Sequence, residues 1–469
     1  MALFSVKNKI FCHFGSHCNW AKNLNNPMKG FFKENKILVI ILLGSFLASL
    51  IYSFYFRITP VVDARAYDVI AMNIVDGNGF REDLGTDINH DGAIVRVGPL
   101  YEYFLAGTYK IFGHHYEFIW IFQALAHALS ALFIYLAVLL IFQDLSDRRK
   151  IALWAAAIFG FYPDLIEISA MLLTETLYLF LATLMFYLFF LYFRRPNNHL
   201  LVWLGLISGL ATLARSPILF LVPIILFLFY KKRLWMKGVL FLAILALVFV
   251  PWTARNYLVY QKIMPFGAGG SFNFWIGNYQ GSNGEQEPQK IHFDYMQSHN
   301  VNELQDESIR QFKNYIIHYP AEFVKLSLLR ANKYFSVSRP MGFWFYQQGI
   351  GKLLMVFSSA LASIFLFIFG LAGMIRAFKE KKPVLNYLLA FAIVTPLIIF
   401  ITVVETRYRF QIYPLLAIFA GYFLVFLSSA KKWWADKILW LAILIVSLNG
   451  LLDLILSFSK FKERLGGFF

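Results

Sequence analysis

About eleven runs of roughly 17 to 25 mostly apolar residues recur along this chain, each long enough to cross a bilayer as a helix. They fall at roughly 37–56, 117–142, 150–168, 172–193, 199–214, 217–230, 234–252, 352–375, 384–403, 411–429 and 437–458. A helix satisfies its own backbone N–H and C=O groups, so such runs need no water to pair them. The expected fold is therefore an all-α, polytopic membrane protein. Composition agrees, because only 15% of the 469 residues are charged, where a soluble domain carries about 25%. The fifth and sixth runs are short and meet at Arg215-Ser216-Pro217. Proline disfavours helix at the residue before it, which predicts a break there.

The formal charge is +16, yet the basic residues cluster between apolar runs and not along one soluble face, which argues against nucleic acid. Lys7, Lys9, Lys22, Lys29, Lys33 and Lys36 precede the first run. Further clusters stand at 147–150, 194–195, 231–233, 376–382 and 431–432, in alternate turns. Lys and Arg favour the cytoplasmic side. The expected topology is a cytosolic basic tail over 1–36, a transmembrane domain over 37–458 and a C-terminal tail over 459–469. The active side would then face away from the cytosol, across a cytoplasmic (inner) membrane. Lys460, Lys462 and Arg464 run against this, since the last tail would lie outside. The first run is long enough to span and predicts no cleavable signal peptide. Cys12 and Cys18, with His13 and His17 between them, are the only cysteines; their spacing is not that of a familiar zinc motif, and a cytosolic tail is the simpler reading.

Four regions face outward in this topology: 57–116, 161–175, 253–351 and 404–410. Residues 97–113 mix a wide apolar face with Glu102 and Lys110, which suits a helix lying on the membrane. The large region 253–351 opens with PWTARNYLVY and a glycine-rich turn, Phe266-Gly267-Ala268-Gly269-Gly270. Two amphipathic helices are expected at 303–318 and 320–335, separated by Pro320. No internal repeat marks an inverted-repeat transporter.

Directly after the first run comes PVVDARAYDVIAMNIVDGNGF, residues 60–80. Charges so close to an apolar span are placed where water or a polar ligand meets them. Read as a helix after Pro60, Asp63 and Tyr67 share a face with Ala71. Asp63 could cap that helix or do chemistry, and the two are compatible.

The pattern Asp63, Ala64, Tyr67, Ala71, Gly77 and Gly79 resembles the first outer loop of the polyprenyl-phosphate-dependent glycosyltransferases of GT-C architecture. The likeness is to glycosyltransferase family 39, the dolichyl-phosphate-mannose protein mannosyltransferases, and to the lipid A aminoarabinose transferases. Gly98-Pro99-Leu100-Tyr101, PWTARNY at 251–257 with 272–278, HYPAEFVKLSLLR and ETRYRFQIYP extend it from about Ile37 to Leu427. The resemblance implies an inverting transferase that moves a sugar from polyprenyl phosphate to an acceptor hydroxyl. Asp63 would take the hydroxyl proton. Where the family often has Asp-Glu, Ala64 stands here, and Asp68 is the candidate for the second carboxylate.

A leaving phosphate needs cations, and a guanidinium fork matches its oxygens. Arg65, Arg96, Arg215, Arg255, Arg407 and Arg409 are the outward candidates, with Arg65, Arg255, Arg407 and Arg409 chosen as donor-phosphate contacts. Each could instead snorkel to lipid. Tyr67, Tyr101 and Tyr408 are expected in the substrate pocket. Asp87-Ile88-Asn89-His90-Asp91-Gly92 opens like a calcium loop, but Gly98 stands at the twelfth position, where a carboxylate is needed. A polar turn is the better reading; no metal ligand is assigned, and a divalent cation stays open because some relatives use one. Asp164, Glu167 and Glu175 read as ordinary acids at a water-facing turn, and His127 as a hydrogen-bonded core histidine. The expected partners are a polyprenyl-phosphate-linked sugar, a lipid, glycan or protein acceptor, and membrane lipids. The rival expectation is a secondary transporter or flippase of lipid-linked sugars.

Overall fold

The computed structural model describes residues 35–96, 98–339 and 349–458. The Cys12–Cys18 stretch and the basic residues after Ser459 lie outside them. Among the described residues there is no strand, only an isolated bridge between Glu285 and Val404.

The apolar runs fold as helices at nearly the expected bounds. They are α1 (Lys36–Phe56), α4 (Tyr116–Ile141), α7 (Thr174–Arg194), α10 (Trp235–Tyr260), α15 (Gly349–Glu380), α18 (Tyr413–Ser429) and α19 (Lys437–Leu456). Proline starts α16 (Pro383–Val394), and Pro396 interrupts it before α17 (Leu397–Ile401). The expected run at 150–168 is bent by 55° into α5 (Arg148–Gly160) and α6 (Pro163–Ser169), with Pro163 opening the second piece. Eight helices among the described residues are long and apolar enough to cross a membrane, nine if the bent pair is one span. The expected count of eleven is reached only with α8 (Asn198–Ala214) and the run Ser216–Lys231, whose last part is α9 (Val222–Lys231), and these two are short. At about 1.5 Å per residue, 17 residues of helix reach roughly 25 Å, less than a full hydrocarbon core. The break at Arg215 is real, and the backbone there is extended.

α18 is the central post. Most of its residues are buried, and it packs on α15 and on α5. Glycines permit this closeness: a Cβ on Gly373 would fall 2.1 Å from the Phe419 carbonyl oxygen, and one on Gly421 2.8 Å from that of Ile151. Around this post α4 packs on α7 and α5, α1 packs on α4, and α8 packs between α7 and α10.

The basic turns gather at one end. Arg194 donates to the carbonyls of Leu140 and Ile141, Lys232 to Phe193, and Lys237 to Asn198. The polar segments gather at the other end. There lie α2 (Asp63–Val75), α3 (Leu100–Phe112), α11 (Gly269–Gly277), α12 (Lys290–Ser298), α13 (Val301–His318) and α14 (Pro320–Phe335). The amphipathic pair α13 and α14 matches expectation, and Pro320 is the first residue of α14. α11 and α12 fall where the sequence predicts a turn and a loop; nine residues each, they are too short for an apolar period to mark them. Arg330, fully buried on α14, ties this layer together by donating to the Gly277 and Phe400 carbonyls and to Asn278.

Candidate active site

Asp63 is the first residue of α2, and its carboxylate caps nothing. Both oxygens are instead taken by arginines. Oδ2 accepts from Arg407 Nη2 at 2.6 Å and Oδ1 from Arg96 Nη1 at 3.2 Å. Arg407 sits 344 residues later on the 3-10 turn Thr406–Ile412, and its Nε donates to Glu405 at 2.8 Å. Behind it Glu175, at the start of α7, stands 3.9 Å from the same Nε and pairs with buried Arg215. Thr174 also accepts from Arg215. Burial pushes the Asp63 carboxyl up. The charge and hydrogen bond of Arg407, then Arg96, then Arg215, outweigh that and hold it below its usual 3.8.

Two cavities meet at this ion pair. One, about 200 Å³, is lined mainly by apolar groups of residues 58–64 and 171–173. The other, about 400 Å³, is the more polar of the two and is lined by Glu285, Gln286, Glu287, Lys333, Arg339 and Arg409 among others. Val62, Asp63, Glu405 and Arg407 line both. The backbone just before Asp63 is strained: Val62 has φ 50° and ψ −116°, a region costly for a β-branched residue.

Asp68 is elsewhere. Five residues at about 100° each carry it some 140° around the helix from Asp63, so it lines neither cavity. It accepts instead from Tyr109 at 2.7 Å, Tyr116 at 2.8 Å and His114 at 2.9 Å. Its part as second carboxylate has no geometric basis; Glu405, two residues before Arg407, is the acid beside Asp63.

Of the four arginines chosen as phosphate contacts, only Arg407 and Arg409 line a cavity. Arg409 is spent on the Ser336 and Arg339 carbonyls. Arg255 lies over the rings of Phe80, Trp252 and Tyr260 and donates to the Phe80 carbonyl. Arg65 is exposed, on the helix side away from the cavities. Arg96, an outward cation outside the chosen four, reaches Asp63 alongside Arg407.

The three tyrosines are wall, not lining. Tyr67 and Tyr101 are buried edge to face, and Tyr101 donates to Gln123. Tyr408 donates to Gln286 and lies under Arg215. Asp164, Glu167 and Glu175 are buried and do not face water: the first two lie on α6, which packs against α1, α4 and α15, and Glu175 pairs with Arg215. His127 is a core histidine with Nε2 3.1 Å from the Gly160 carbonyl. In the calcium-like loop, Asp91 is buried and accepts three backbone N–H groups, from Glu82, Asp83 and Ala93. Its oxygens are engaged as a turn hub. Among the described residues no three His, Cys, Asp or Glu side chains converge as a metal site.

Residues 96–254 match the family described as dolichyl-phosphate-mannose-protein mannosyltransferase. No curated protein matches the chain in sequence. Among solved structures, the oligosaccharyltransferase AglB from Archaeoglobus fulgidus, in complex with an inhibitory peptide and a dolichol-phosphate, is similar over 90% of this chain and 55% of its own, at 16% identity and TM-score 0.52. The same organism's oligosaccharyltransferase with Zn and sulfate gives 88%, 52%, 14% and 0.51. ArnT from Cupriavidus metallidurans bound to undecaprenyl phosphate gives 88%, 64%, 15% and 0.47. The chain thus spans about half the length of the oligosaccharyltransferases it matches. It has the fold of these GT-C membrane enzymes, and the match over residues 96–254 agrees with the resemblance to the protein mannosyltransferases read from its sequence.

Proposed function

We propose that this chain is an inverting glycosyltransferase that moves a sugar from a polyprenyl-phosphate donor to an acceptor hydroxyl on the outer face of a cytoplasmic membrane. The observation that carries the reading is the meeting of an apolar and a polar cavity at one carboxylate–arginine pair. An amphiphilic donor has the same two parts, joined by a phosphate. Its first prenyl units fit the apolar cavity beside the end of α1, its sugar fits the polar one, and its phosphate falls at Arg407.

At rest Arg407 is bound to Asp63 and Glu405, and Asp63 is a weak base. A donor phosphate offers the guanidinium a second anion in bidentate geometry. As Arg407 turns to it, the carboxylate loses its strongest cation and gains basicity with substrate present. Asp63 then takes the proton of the acceptor hydroxyl while that oxygen attacks the anomeric carbon. The glycosidic carbon–oxygen bond breaks, and polyprenyl phosphate leaves as the anion on Arg407. A single displacement inverts the anomer. The bond energy is in the donor, so no nucleotide is needed.

The transporter reading draws on a different feature, the bent α5–α6 pair with Asp164 and Glu167 buried in it. One experiment separates the two. Purified protein in vesicles receives a polyprenyl phosphate carrying a labelled sugar, together with extracts of candidate acceptors. Transfer with inverted configuration and release of polyprenyl phosphate is expected. Movement of intact donor between leaflets, without cleavage, would overturn the proposal.

A further inference from the structure

Arg96 follows a short 3-10 turn, Gly92–Val95, in the loop between α2 and α3. Its guanidinium has two tasks. Nη1 donates to Asp63, while Nε and Nη2 grip Glu82 at 2.8 and 2.6 Å. Arg96 lines neither cavity, so it meets the base from behind, opposite Arg407.

The turn that presents it is fixed from both sides. Within the loop, Asp91 accepts the backbone N–H groups of Glu82, Asp83 and Ala93, which ties the Glu82 end of the loop to the turn. From the large loop, the glycine-rich turn presses its backbone onto it. The Ala268 N–H donates to the Ile94 carbonyl at 2.8 Å. A Cβ on Gly267 would fall 2.4 Å from the Ile94 oxygen, and one on Gly269 2.1 Å from the Val95 oxygen. No side chain fits at either position without moving the turn. The calcium-like sequence and the glycine-rich stretch, 180 residues apart, therefore serve one structure.

We infer that Arg96 is a positioning residue for Asp63, held in place by a brace made of Glu82, Asp91 and the turn Gly267-Ala268-Gly269. The inference rests on the transferase reading for its effect on rate, and on geometry alone for its effect on Asp63. With Oδ1 held by Arg96, the carboxylate cannot rotate when Arg407 releases Oδ2, so the freed oxygen keeps its aim at the polar cavity. Rotational misplacement of a reacting group costs rate steeply. The groups facing Asp63 are Arg407 and Arg96 in contact, Arg215, Tyr67 and Tyr408 by charge, with Glu405 and Glu175 beyond Arg407. Removing Arg96 leaves the others in place.

The test uses two readouts on the full chain in nanodiscs. One is the pH midpoint of carbodiimide coupling of glycinamide to Asp63, followed by peptide mass spectrometry, which reports the carboxyl directly. The other is kcat and donor KM for sugar transfer. Arg96→Ala and Gly269→Ala should both raise the midpoint and lower kcat by about 10- to 100-fold with little change in KM, and Arg96→Lys should restore part of each. Gly269→Ala removes no charge, so its agreement with Arg96→Ala isolates the brace. An unmoved midpoint in Arg96→Ala, or wild-type behaviour of Gly269→Ala, would overturn the inference while leaving the transferase reading intact. Shifted midpoints in a protein that transfers no sugar would keep the brace and remove the transferase reading.

Discussion

Replacing Arg407 by glutamine takes away the cation that two cavities and two carboxylates share. A charge-assisted hydrogen bond nets about 1.5–3 kcal/mol. Two such bonds to a donor phosphate would suggest twice that, but Arg407 does not arrive free. At rest it already donates to Asp63 at 2.6 Å and Glu405 at 2.8 Å, and those bonds are exchanged when phosphate binds. The loss in affinity is therefore nearer to one bond than two, about 1.5–3 kcal/mol, or roughly 10- to 150-fold in Kd. Titration of nanodisc-bound protein with polyprenyl phosphate, and in parallel with neutral polyprenol, reads the phosphate part alone. Arg407→Gln should weaken the phosphate and leave the alcohol unchanged. An unchanged Kd for polyprenyl phosphate, or an equal loss for both lipids, would refute the exchange.

Asp68→Ala removes the acceptor for Tyr109, Tyr116 and His114. It should cost about 1–3 kcal/mol of stability, read as a lower Tm, with kcat within about threefold of wild type. Arg255→Ala should lose about 1–2 kcal/mol through its ring contacts, and its Kd for polyprenyl phosphate should stay unchanged. Asp63 has a folded pKa below its usual 3.8. The stability from its ion pairs is therefore whole above that value and lost only as pH falls through the lower, folded one. With Arg407 in place the base stays ionised from neutral pH to about 5, so the pH profile of kcat/KM, which reports the free protein, should show no acid limb from Asp63 in that range.

The fold was readable because hydrocarbon thickness sets run length, and run length survives any packing. The positions of α1, α4, α7, α15 and α19 needed nothing more. Where the reading needed contacts, it reached the right neighbourhood and then divided. Asp63 and Arg407 were both singled out, but their pairing spans 344 residues and no local pattern encodes it. That Asp68 lies away from both cavities follows from helix geometry alone, since five residues turn a side chain to the far face. Arg255 could not be told from a phosphate ligand by sequence, because its partner Phe80 comes from another segment. Arg96 carries no local mark of its role, because Asp63 lies 33 residues earlier and the turn that presents it is held by the glycine-rich stretch of another loop.

Single-turnover sugar transfer by Asp63→Asn, started from preformed donor complex, bears most directly on the role given to this carboxylate. The substitution keeps shape and removes the proton acceptor. A fall of about 10²- to 10⁴-fold in the transfer rate, with donor Kd within a few-fold of wild type, is the predicted result. Transfer at the wild-type rate from an equally well-bound donor would contradict it.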